Sequence, residues 1–344
     1  MNHDLANRQD YLERTKFKYL FFIICVVLAS INLAFAFETD RPDSDGPTNI
    51  YIRMFMIDVD DVNASEQRFS ANFYYEAHWF DKRLAHAESD ILTYPITAVW
   101  TPRLIIANQQ RLWTTLPEIV TVDRQGNVTY RQRVWGHFSQ PLKLHQFPFE
   151  HQTYTIRLVS AGYNLNEINI EIYEKDISGI ADTFSLPDWE IIKWSMDNTP
   201  YAFTSGGKGT PSMSFTIFAK RHIGYYVLIY IIPLILIVFM SWIVFWIDIK
   251  ETNTRVSIAV TSMLTLIAYR FVMVANLPKV SYITNLDYII LASTLLVFTT
   301  LVLTALLSLI IDKEKLSLAK KINLNLRWVL PIIFILLMLY PIFD

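Results

Sequence analysis

After His222 the chain turns apolar four times, over residues 223–246, 256–275, 288–311 and about 326–343. Each run is near the ~20 residues a helix needs to cross ~30 Å of hydrocarbon. Lipid offers no partner to backbone N–H and C=O groups, so a spanning run must satisfy them internally, as a helix does. An even number of spans returns the C-terminus to the side where the N-terminal region lies. The stretch 312–325 then reads as a loop, with Lys313, Lys315, Lys320 and Lys321 against Asp312 and Glu314. That basic excess marks a cytoplasmic loop and leaves the N-terminal region outside.

The beginning of the chain supports the same topology. Arg14, Lys16 and Lys18 precede an apolar core, and Ala34-Phe35-Ala36 supplies a small-x-small cleavage pattern, so residues 1–36 read as a signal peptide. A retained anchor is the other reading. The only cysteine, Cys25, lies within that segment, and cleavage leaves a mature chain without disulfide or thiol chemistry. Charged residues make up 18% of the 344 positions and hydrophobic ones 52%. That mixture fits segregation into a polar and an apolar half better than either one soluble domain or a fully embedded chain. A net charge of −2 gives no sign of a nucleic-acid partner.

Between the signal and the spans, residues 37–222 carry strand patterns. Phe69, Ala71, Phe73, Tyr75, Ala77 and Trp79 alternate with Ser70, Asn72, Tyr74, Glu76 and His78, a period of two with one buried face. Residues 120–133 predict a hairpin turning at Gln125-Gly126-Asn127. Strands are also expected over 154–158, 168–173, 189–194 and 213–219. Many short strands without helical periodicity predict an antiparallel β-sandwich, exported and joined to a four-helix transmembrane domain over 223–344.

The second span is amphiphilic. Ser257, Thr261, Leu264, Ala268 and Phe271 recur at steps of four and three, so they share one helix face. A helix touching only lipid gains nothing from hydroxyls, whereas one lining water does; the other reading is a packing seam. Repeated around a symmetry axis, such a face makes a pore wall.

An exported sandwich feeding four spans, the second amphiphilic, resembles the pentameric ligand-gated ion channels, specifically their prokaryotic members. Residues 140–154 (QPLKLHQFPFEHQTY) resemble the loop that names the Cys-loop receptors: Phe147-Pro148-Phe149 and Gln152 match, and Gln140 and Tyr154 stand at the cysteine positions. Trp79-x-Asp81-x-Arg83-Leu84, Trp100-x-Pro102, Arg221, Pro233, Ser241-Trp242-x-x-Phe245-Trp246 and Asn276-Leu277-Pro278-Lys279 match in order and spacing. The resemblance implies a homopentamer in a bacterial plasma membrane: a multi-pass receptor with its N-terminal domain periplasmic or extracellular. Its partners are then four further copies, membrane lipid, permeating monovalent ions and a small-molecule agonist, with no cofactor or metal.

The resemblance also distributes roles. Ser257 and Thr261 fall in the cytoplasmic half of the pore, Leu264 at a hydrophobic midpoint gate, Ala268 and Phe271 above it, with Phe271 the alternative constriction. Glu251 and Asp248 lie at the cytoplasmic mouth, so the reading leans to cations, with anion selectivity the alternative. Tyr74, Tyr130 and Arg131 align with the complementary ligand face. The principal face holds Ser160, Ala161, Tyr163 and a capping loop with Tyr201 and Phe203. Two aromatic-cage positions are Ala107 and Ala161, so an aromatic cage for an amine is incomplete; Arg103 and Arg131, if inward, favour a carboxylate. Asp60, Asp61, Phe149, Glu150, Arg221 and Lys279 form the expected coupling set, and His145, His151 and His222 near the same junction predict pH-modulated gating. A periplasmic-domain enzyme or a merely anchored binding protein is the rival class, but the chain shows no nucleophile elbow, P-loop, dinucleotide motif or His/Cys metal spacing.

Overall fold

The computed structural model describes residues 40–344 apart from 44, 174–177, 205, 278, 313, 314 and 344. The signal segment, with Cys25, and Pro278 lie outside the described residues.

Among the described residues twelve strands make two sheets: β1 (Thr48–Asn63), β2 (Arg68–Phe80), β3 (Leu92–Pro95), β4 (Leu104–Ile106), β5 (Gln109–Thr114), β6 (Ile119–Val122), β7 (Asn127–Ser139), β8 (His151–Ser160), β9 (Ile168–Ile172), β10 (Gly179–Ile180), β11 (Trp189–Asp197) and β12 (Ser212–Arg221). The larger sheet runs β10-β1-β2-β7-β6-β3, with β5 also on β7 and β9 also on β1; the smaller runs β11-β12-β8-β4. Most pairs are antiparallel, but β1 pairs in parallel with both β9 and β10. The chain reaches β9 after β8 of the opposite sheet, so it arrives by a crossover rather than a hairpin.

The period-two reading of β2 holds at each predicted inward position: Phe69, Ala71, Phe73, Tyr75, Ala77 and Trp79 are all buried. They meet Tyr154, Ile156 and Leu158 of β8 and Met213, Phe215 and Ile217 of β12 across the sandwich. Burying one such large apolar side chain contributes about 1.5–3 kcal/mol. The β6–β7 hairpin turns where expected. Asp123 accepts from Gln125 N and Asn127 N, both at 2.9 Å, and Gly126 has φ +93°. A Cβ on Gly126 would lie 2.5 Å from the Asp81 carbonyl, so only glycine lets this turn sit on the Trp79-x-Asp81 corner.

Four helices follow that are long and apolar enough to span: Gly224–Phe245, Thr252–Asn276, Asn285–Asp312 and Leu316–Phe343. The fourth starts at Leu316, not near Leu326, so most of the expected 312–325 loop is helical. Hydropathy registers only the apolar part, whereas the backbone stays helical through an amphipathic first stretch. There Ala319 and Asn323 are buried while Lys320 and Lys321 are exposed.

Candidate functional site

The second helix packs on its own bundle with Arg255, Ala259, Ser262, Leu266 and Met273, all buried. Ser257, Thr261, Leu264, Ala268 and Phe271 are exposed, Leu264 at 62% and Phe271 at 76%. Stripe and packing face differ by two residues, about 200° around a helix. The polar stripe therefore points directly away from the subunit's own helices and is no seam within this bundle. The Thr261 hydroxyl donates to the Ser257 carbonyl at 2.8 Å. Its proton is thus turned to the backbone, and its oxygen lone pairs remain on the exposed face. Glu251, where the helix begins, and Asp248 are exposed.

Two contacts missed in the sequence hold this helix in place. Pro233 has no N–H, so the carbonyl four residues back, Ile229, loses its helical donor. The helix answers with a π turn over Val227–Ile231, and Tyr269 of the second helix places its hydroxyl 2.9 Å from both the Ile229 and Tyr230 carbonyls. At the other end Arg255, 2% exposed, donates from Nε to the Val244 carbonyl at 2.8 Å and bonds Asn323 Oδ1. Asn323 and Arg327 of the fourth helix both donate to the Phe245 carbonyl, at 2.9 and 2.7 Å. These side chains cap the carbonyls that end the first helix. The unpaired carbonyl below a proline was the available signal for Tyr269; nothing local announced Asn323.

At the junction of sandwich and helices, Arg221 ends β12 and meets Glu150 Oε1 at 2.6 Å, both side chains buried. The guanidinium lies 4.2 Å from the Trp189 ring centroid, 5.1 Å from Phe147 and 5.4 Å from Tyr226. It also donates to the Tyr226 hydroxyl at 3.2 Å, reaching the start of the first helix. Phe149 is half-buried beside this pair. The loop before β8 sits on the linker between the second and third helices: His145 stacks on Tyr282 at 4.0 Å, Asn285 N donates to His145 O, and Leu286 N to Phe147 O. The loop needs no disulfide to close. Gln140 Oε1 accepts from Thr155 N, and the Gln152 amide bridges both Lys143 backbone groups. Asp60 and Asp61 are inside β1, not in a connecting loop, because β1 runs on to Asn63 through two bulges; Asp60 accepts from Trp135 Nε1 at 3.1 Å. Lys279 is exposed on the linker.

The expected ligand residues fall into two groups on different sheets. In the first, Ser160 Oγ donates to Pro102 O, Ala161 N donates to Arg103 O, and Tyr163 accepts from Trp100 Nε1 at 2.8 Å. The Arg103 guanidinium lies 5.6 Å from the Tyr163 ring centroid. Tyr201 and Phe203 pack edge to face at 4.9 Å on the hairpin between β11 and β12. Beneath Tyr201, 4.6 Å from its ring centroid, is Arg157, which the sequence reading did not single out. Its position as the charge on the outward face of β8, alternating with Tyr154, Ile156 and Leu158, was the signal.

The second group lies on the outer face of the larger sheet. Glu76 is 2% exposed and stands in one cross-strand row with Arg53 and Arg131. Arg53 meets its Oε2 at 2.6 Å, His78 the same oxygen at 2.9 Å, Arg131 its Oε1 at 3.0 Å, and the Tyr74 hydroxyl also donates to it. Burial works to raise the Glu76 pKa, but Arg53, Tyr74 and Arg131 outweigh it and hold the carboxyl at about 2. Burial and the bond to Glu76 push Tyr74 up to about 12. Burial lowers His78, against the pull of Glu76. Arg131 is thus already paired with an acid. Tyr130 points the other way: alternation on β7 turns it inward, edge-on to Tyr75 at 6.1 Å, so it does not share a face with Tyr74 and Arg131.

A sandwich clamped through a buried ion pair onto four membrane helices, one of which turns a hydroxylic stripe away from its own bundle, defines a membrane receptor-channel subunit. Residues 37–223 match the family described as neurotransmitter-gated ion-channel ligand binding domain, and residues 230–326 match the neurotransmitter-gated ion-channel transmembrane region. The chain belongs to this family, the Cys-loop pentameric channels, and is a ligand-gated ion channel subunit, not an enzyme.

Proposed function

We propose that this chain forms a cation-selective pore opened by a small molecule bound between neighbouring sandwiches. The observation that carries the pore assignment is the exposure of Ser257, Thr261, Leu264, Ala268 and Phe271 opposite the buried face of the same helix. Around a fivefold axis these become rings: hydroxyl oxygens at the inner end, apolar Leu264 at the middle and Phe271 above. An apolar ring stops ions by dewetting, because nothing replaces the water an ion sheds there. Support for cations comes from the Thr261 oxygen, which keeps acceptor lone pairs outward, and from exposed Glu251 and Asp248 at the mouth, which concentrate cations. Agonist binding draws on Tyr201, Phe203, Tyr163, Ser160, Ala161 and Arg103 from one subunit and Tyr74 and Arg131 from the next. Closure of the capping loop biases the Glu150–Arg221 junction, and so the helices. Proton modulation of gating belongs to the same reading, through the histidines of this junction, of which His145 stacks on Tyr282. Single-channel recording in bilayers, across a ligand screen and from pH 5 to 9, tests the whole reading. Absence of conductance under every condition overturns it in favour of an anchored binding protein, and an open probability flat with pH removes the proton step.

A further inference from the structure

We infer that the ligand seat of this channel is an anion seat built on Arg157, and that the ligand class it takes is a small carboxylate. This deepens the agonist reading above and rests on it for its link to gating. A cavity of about 220 Å³ lies under the capping hairpin, lined by Ala107, Asn108, Gln140, Thr155, Arg157 and Tyr201 among others. Ala107 leaves the room: an aromatic side chain there would fill much of the space. The Arg157 guanidinium is held in two ways. Its Nε donates to Ser214 Oγ at 3.1 Å and its central carbon lies 4.6 Å from the Tyr201 ring centroid. Neither contact uses the two terminal nitrogens, and among the described residues Arg157 forms no ion pair. Gln140 accepts from Thr155 N through Oε1 at 3.3 Å, which leaves its Nε2 as a second donor at the same cavity.

The contrast with the neighbouring candidates is electrostatic. Arg131 is ion-paired with Glu76, a single carboxylate that it shares with Arg53. A guanidinium that is oriented by a hydroxyl and a ring, yet carries an unanswered positive charge, matches the paired oxygens of a carboxylate. An ammonium ligand finds only a like charge here, and the aromatic faces that would offset it are missing at Ala107 and Ala161.

The test is direct binding to the purified full-length channel, with benzoate as probe and benzamide as its uncharged isostere, at constant chloride. Benzoate is expected to bind and benzamide not. Arg157→Gln is expected to weaken benzoate about 10- to 100-fold, the scale of a lost hydrogen bond to a charged group. Ala107→Trp, which fills the cavity and leaves Arg157 in place, is expected to abolish binding and covers the case in which Arg157→Gln does not fold. Equal binding of benzoate and benzamide, no binding of benzoate, or wild-type affinity in Ala107→Trp overturns the seat. Recording on the same preparation separates the two readings. Benzoate bound without any current upholds the seat and counts against agonist action there, whereas current evoked by other ligands with no benzoate binding overturns the seat alone.

Discussion

Glu150 and Arg221 are 1% and 7% exposed at the side chain, so each charge depends on the other for most of its compensation. Removing one partner of such a pair costs about 3–5 kcal/mol, because the survivor stays buried and uncompensated. Glu150→Ala is therefore expected to lower the melting temperature of the channel and to uncouple binding from current; an unchanged melting temperature counts against the pair. Arg221→Lys is no conservative change here, since a point-like ammonium cannot reproduce the delocalised guanidinium's approach to Trp189, Phe147 and Tyr226 while also bonding Glu150. Glu76 carries a second residue-scale prediction. Its carboxyl is held at about 2, below its ordinary 4.5, so its contribution is fully present above pH ~4.5 and fades as pH falls through about 2. The gap in melting temperature between wild type and Glu76→Gln is expected to be widest at pH 7 and to shrink on acidification. A constant gap would place the effect in packing instead.

At the scale of the element, the second helix does two jobs on opposite faces. Its buried face is fixed at both ends, by Tyr269 to carbonyls beside the Pro233 π turn and by Arg255 to the end of the first helix. Its free face carries the proposed gate. Leu264→Thr replaces an apolar ring by one that holds water, so agonist-free current is expected to rise; a leak equal to wild type moves the gate to Phe271. The elements themselves were legible to different degrees. The β2 alternation could be read residue by residue because one face must be apolar and the other not. The parallel pairing of β1 with β9 could not, because it joins residues 48–52 to 168–172 and leaves no local period. Tyr130 differs for a related reason: the resemblance groups it with Tyr74 and Arg131, but strand parity sends it inward.

For the whole molecule, selectivity depends on charges repeated around an axis. Glu251→Lys is expected to shift the reversal potential in a salt gradient toward anions; an unchanged value removes Glu251 from the mouth. The amino-acid sequence by itself determined the architecture, since periods of two and 3.6 and runs near ~20 apolar residues leave few ways to satisfy backbone and bury side chains. It also placed the stripe on one helix face. Only the tertiary structure decided that this face turns away from the bundle, and only it sorted the arginines. Arg131 is paired with Glu76 across neighbouring strands, whereas Arg157 lies under Tyr201 and forms no ion pair among the described residues. Local sequence sets which charges exist; which of them are answered depends on residues far apart in the chain that folding brings within a few ångströms.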